Sequence, residues 1–208
     1  MFAESEDENH LDVDGLLRLA ADRSAAVRSE LVEVISDLFF DRDRVLSERE
    51  RATMSDILRQ LIHDVEISVR KHLAIRLSDE PTAPPELVFA LANDSAEIAH
   101  PILIRSEVLR DPQLIEIIRH RGFEHQLSIA MRAALSESVS DALVETNDVS
   151  VIEKLLENPG AEIGRDAMSY LVEQSQRVDA FQNPLVRRKD LPRELAPRMY
   201  WWVSAALR

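Results

Sequence analysis

Between residues 16 and 156, apolar side chains recur at three- and four-residue intervals in nearly every ordered stretch. That spacing marks helices that bury one face. Leu16, Leu17, Leu19 and Ala20 make one stripe, and Val27, Leu31, Val34, Ile35 and Leu38 the next. Ile57, Leu58, Leu61 and Ile62 precede Val69, Leu73, Ala74 and Leu77. The theme returns at Leu87, Val88 and Leu91, at Leu114, Ile117 and Ile118, at Ile129 and Ala133, at Val139 and Leu143, and at Ile152 and Leu155. No run rich in Val, Ile, Thr and Tyr alternates in polarity, so no sheet is expected. The chain reads as all-α.

The stripes come in pairs with a repeated seam. LLRLAADRSAAVRSEL (16–31) aligns with ILRQLIHDVEISVRKHL (57–73): an apolar helix, an Asp, four residues, then Val-Arg opening a second helix. Asp22 precedes Val27 and Arg28 as Asp64 precedes Val69 and Arg70. Residues 88–103 keep the Asp (Asp94) but carry Ala99-His100 in place of Val-Arg, and 143–156 keep Asp148. Asp94, Arg121 and Asp148 follow one another at equal steps along the chain. Such periodicity predicts a stack of helical hairpins, five of them with a sixth near 168–195 and a closing helix from about Pro197. An Asp at each turn suits the positive end of the next helix. An Arg one turn in is placed to reach the preceding repeat's Asp. Asp22, Arg28, Asp64, Arg70, Asp94 and Asp148 therefore read as a structural ladder. Pro84 and Pro85, Pro112, Pro192 and Pro197 read as helix starts. Pro101 implies either a kinked helix or one that begins late.

Paired helices with Asp…Val-Arg at the turn resemble HEAT repeats, which implies a right-handed α-solenoid. The strings AHPILIRSEVLRDPQLIEII (99–118), LSIAMRAALSESVSDALVETNDVSVIEKLLENPGAEI (127–163) and RRKDLPRELA (187–196) narrow the likeness. Together they resemble an uncharacterised alphaproteobacterial family of unknown function with HEAT-like repeats, over roughly 60–208. LLENPGAEI and KDLP are its more specific segments, and residues 1–55 depart most from it. The resemblance implies members that run well past WWVSAALR, leaving open whether the chain is a short member or part of a longer protein. It brings no activity with it. The expected organisation is an acidic, flexible leader over 1–10 and a single repeat domain over 11–208.

Composition removes much chemistry. With no Cys there is no disulfide, thiolate nucleophile or Cys-ligated metal, and a reducing, cytoplasmic setting fits. Four glycines, none clustered, leave no phosphate-cradling loop. No HExxH or GxSxG occurs, and placing Gly15 at the sixth position of a calcium loop puts Ala21 where the bidentate Glu belongs. His120 and His125 sit about 140° apart around a helix. The six histidines read as solvated or packed into seams. No catalytic, metal or cofactor residue is assigned, and no cofactor is expected. No apolar stretch approaches the ~20 residues of a membrane span.

Lys and Arg number 25 against 38 Asp and Glu, a formal net charge of −13. That sign repels nucleic-acid phosphates and anionic lipid. Six acids and no base fall within residues 1–14, whereas Arg187, Arg188 and Lys189 open a basic stretch ahead of Tyr200, Trp201 and Trp202. Neighbouring Trp residues on a helix point ~100° apart, so one is available to a partner or a second copy. Those six residues are the candidate contact set. The expected function is a non-enzymatic scaffold whose groove takes a protein with a basic face. The alternatives are a self-associating, dimerising module and a small-ligand sensor.

Overall fold

The computed structural model describes residues 24–40 and 47–199. Asp22 and the leader over 1–10 lie outside them, as do Tyr200, Trp201 and Trp202. Among the described residues the chain forms eleven α-helices and no strand. These are α1 (Ala25–Phe40), α2 (Glu48–Leu61), α3 (Ile67–Ser78), α4 (Pro85–Ala92), α5 (Ala96–Arg105) and α6 (Asp111–His120). They continue as α7 (Phe123–Ala130), α8 (Glu137–Glu145), α9 (Val149–Glu157), α10 (Arg165–Gln174) and α11 (Gln182–Arg187). Single 3-10 turns at Ile62–Asp64 and Asp179–Phe181 precede α3 and α11.

Local chemistry sets many of the starts. Ser47 and Glu50 form a reciprocal capping box on α2, with Ser47 Oγ accepting from the Glu50 amide and the Glu50 carboxylate accepting from that of Ser47. Ser136 caps α8, and the Asp148 carboxylate accepts from the amides of Ser150 and Val151 at the start of α9. Pro85 opens α4, and Pro112 lies in the first turn of α6, as the sequence predicts. Pro192 instead sits in a turn that its own carbonyl closes with the Leu195 amide, and the next helical turn begins at 196. Helix α5 begins directly after Ser95 and runs through Pro101 without a late start.

Two rows of helices result. In the first row α1 packs on α3, α3 on α5, α5 on α7, α7 on α9 and α9 on α11. The second row holds α2 beside α4 and α6 beside α8, and α4, α6 and α8 pack on their successors in the first row. The core between the rows is aliphatic, with Leu73, Leu87, Leu91, Ile98, Ile102, Leu103 and Ile117 wholly buried. First-row helices point the same way, because their starts bond to starts and their ends to ends. At the starts Arg70 meets Asp94, and the His125 Nε2–H donates to the Asp94 carbonyl. The ends are joined by side chains that each reach back to the preceding repeat.

Candidate functional site

Those side chains make a second ladder. The Arg105 guanidinium donates to Ser78 Oγ at the end of α3 and pairs with Asp79 at 3.2 Å. Arg132 donates to the carbonyls of Leu103 (2.6 Å) and Ser106 (2.7 Å) at the end of α5. Burial pushes the Arg132 pKa down, and Asp111 and Glu107 act against that shift. The Asn158 amide takes the same place at the end of α7, donating to Ala130 and Arg132 carbonyls at 2.9 and 2.7 Å. Arg188 reaches the carbonyls of Leu156, Asn158 and Ala161 around the end of α9. Helix ends leave carbonyls without intrahelical donors, and each repeat answers that need in the one before it.

The Arg–Asp ladder of the opposite edge also forms, in the reverse direction to that expected. Arg28 pairs with Asp64 at 2.6 Å and Arg70 with Asp94 at 2.9 Å, each Arg reaching forward to the following repeat. The cause is geometric: the next repeat's turn lies beside the first turn of α1 or α3. Asp94 also accepts from the Ser95 amide. Arg121 donates to Asn93 Oδ1, one residue from Asp94. Asp148 serves as a cap for α9.

The basic candidates divide. Arg188 is engaged inside the fold, since its guanidinium also pairs with Asp190 and its side chain is 6% exposed. It is therefore removed from the contact set. Arg187 and Lys189 are exposed and without an ion-pair partner among the described residues. They line a cleft of about 1040 Å³ between the end of α9, the 158–162 loop and α11. Glu153, Glu157, Glu162, Asp179 and Asp190 line it too, so the basic stretch does not face outward as a positive patch. His100 and His125 serve in seams, whereas His63, His72 and His120 are exposed. The Ser128 hydroxyl donates to the Glu124 carbonyl, which leaves its oxygen to accept from His100 Nδ1–H at 2.9 Å. Among the described residues no cluster of three His, Asp or Glu side chains could hold a metal ion, and no helix is long and apolar enough to cross a membrane.

A second cavity, about 580 Å³, lies across α3, α5 and α7. Its floor and walls are apolar: Ile75, Pro101, Ile104, Leu127 and Met131. Ile75 is 44% exposed and Met131 40%, and what sets them apart from singly exposed apolar residues is that they share one contiguous apolar trough. Lys71 with Glu97, His100, Arg105 and Glu124 form its rim. These residues lie outside the core stripes that the apolar spacing marks. The signal was present in α3, where Val69, Leu73 and Leu77 fill the core register while Ile67 and Ile75 sit outside it.

An all-helical protein with hydrogen-bonded seams and an uncovered apolar trough is the class so defined. A family model described as an uncharacterised protein conserved in bacteria (DUF2336) matches residues 98–208. That is more than half of the chain, and the protein belongs to this family. No curated protein and no solved structure matches it.

Proposed function

We propose that the chain is a non-catalytic interaction scaffold, a HEAT-like right-handed solenoid from an alphaproteobacterial branch of the family, working in the cytoplasm. Its first helical row docks a protein partner. The observation that carries this reading is the apolar trough across α3, α5 and α7, left open beside a core that is already complete. A first row of short parallel helices, each packed on the next and backed by the second row, supports the solenoid. The net charge of −13 favours a partner with a basic face and makes the complex salt-sensitive.

The test is capture from a native-host lysate by tagged 1–208 at low and high salt, beside an Ile75→Ser/Met131→Ser double variant. Both side chains are exposed, so the variant keeps its fold. Loss of a salt-sensitive partner in the variant supports the docking face. Equal capture by both proteins overturns it.

A further inference from the structure

We propose that the trough is a receptor for a basic, amphipathic α-helix of the partner protein. The inference rests on the reading of the first row as a docking face and adds the chemistry of what docks there. Three observations carry it.

The first is the shape and lining of the trough. It crosses three parallel helices and offers Ile75, Ile104, Leu127 and Met131 with the Pro101 ring between them. A helix presents apolar side chains at i, i+3 or i+4 and i+7 on one face, which suits a row of contacts of this kind. An extended peptide does not suit it. The walls are helices whose backbone groups, the Glu97 carbonyl apart, are bonded within themselves, so a strand laid on that apolar floor would leave nearly all its own N–H and C=O groups unmatched. A helix brings its backbone already satisfied.

The second observation is the rim charge. Lys71 pairs with Glu97 and Arg105 with Asp79, while His100 is held by Ser128. Glu124 lines the same trough and has no cation beside it among the described residues. The one uncompensated charge at the rim is therefore negative, within a chain of −13.

The third is Pro101. Lacking an N–H, it leaves the Glu97 carbonyl without the donor that the ladder of α5 would supply. That acceptor stands at a trough-lining residue. Glu124 and the Glu97 carbonyl both call for donors, which Lys and Arg on the polar flank of an incoming helix provide.

The experiment uses two synthetic 18-residue peptides sharing one leucine stripe, with Lys and Arg on the polar face of the first and Glu on that of the second. Each is titrated into the full chain by fluorescence anisotropy, with circular dichroism of the complex. The basic peptide is expected to bind and become helical, and the acidic one to bind at least tenfold more weakly. Ile75→Ser/Met131→Ser should weaken the basic peptide at least tenfold and Glu124→Gln about threefold. Pro101→Ala, which restores the missing donor in α5, should weaken it while raising the melting temperature. Glu116→Gln, an exposed acid on the second row, should change nothing. Equal affinity of wild type and double variant for the basic peptide would mean adsorption to an acidic surface and overturn the proposal. So would equal affinity for the two peptides, or a bound peptide that stays unfolded. If the peptides fail while lysate capture still depends on Ile75 and Met131, the docking face survives and the basic helix does not. If capture is also indifferent to those residues, the docking reading itself falls.

Discussion

The Arg188 guanidinium donates to three main-chain carbonyls, at 3.3 Å to Leu156, 3.0 Å to Asn158 and 2.7 Å to Ala161, and is neutralised by Asp190. Removing it takes a donor from three part-buried oxygens, of which that of Asn158 keeps the Ala161 amide, at a cost of order 1 kcal/mol for each one left unpaired. Arg188→Ala should therefore lower unfolding free energy by about 2–4 kcal/mol in a denaturant titration. Arg188→Lys recovers only part of this, because one ammonium cannot match a planar fork. A surface role in partner contact would instead leave stability unchanged. The loop it holds accounts for Asn158, Gly160 and Ala161 of the LLENPGAEI segment. Asn158 bonds the end of α7, and the Gly160 carbonyl accepts from the Leu135 amide in the isolated parallel bridge between Leu135 and Ala161. A Cβ on Gly160 would overlap the Ala133 carbonyl oxygen. In the sequence the segment is legible as a likeness but its physical reason is not. The reason is a set of side-chain to carbonyl bonds between repeats, and no charge pattern announces a neutral carbonyl. Arg105 and Arg132 are separated by the same step that carries Asp94 to Arg121, so the period was in view while its chemistry was not.

Among the elements, α8 and α10 carry the clearest electrostatic strain. Burial raises the Asp141 pKa, and Glu145 and Asp166 push it further the same way. Below the ordinary carboxylate range both folded and unfolded chains hold the proton, and the group is neutral to stability. As pH rises the unfolded chain releases its proton first, so stability is lost as pH climbs through the raised folded value. Asp141→Asn should therefore stabilise at pH 7, with the gain shrinking as pH falls and vanishing below the carboxylate range. Asp141 is exposed and its neighbours are solvated, so a few tenths of a kcal/mol is the scale, read as about 1 °C in melting temperature. A gain that grows on acidification would show that another group governs the region. Helix existence was legible here from the spacing of Val139, Ala142 and Leu143, all of which are buried. The direction of the Arg–Asp ladder was not, because spacing along a chain places Arg28 and Asp64 in repeats without saying which neighbour each one faces.

Across the whole molecule, two charge effects oppose each other, and their signs separate stability from binding. Most ion pairs among the described residues involve partners well exposed to solvent, as in Arg59–Glu86 and Arg165–Glu194. Exposed pairs of that kind contribute ~0–1 kcal/mol each and weaken with salt. Against them stands self-repulsion from 38 acids facing 25 bases, which salt also screens. The seams depend little on the exposed pairs, since the carbonyl bonds of Arg132, Asn158 and Arg188 are sheltered. Repulsion then dominates the salt response of the fold. The melting temperature should rise by roughly 3–6 °C between about 10 and 300 mM NaCl, equivalent to about 1–2 kcal/mol for a chain of this size. Binding of a basic partner should weaken over the same range, because there the screened interaction is attractive. A single salt series read by thermal melting and by peptide anisotropy thus gives opposite slopes. A melting temperature that falls with salt would assign the stability to the exposed ion pairs instead. A binding constant indifferent to salt would separate the trough from the acidity of the chain that surrounds it.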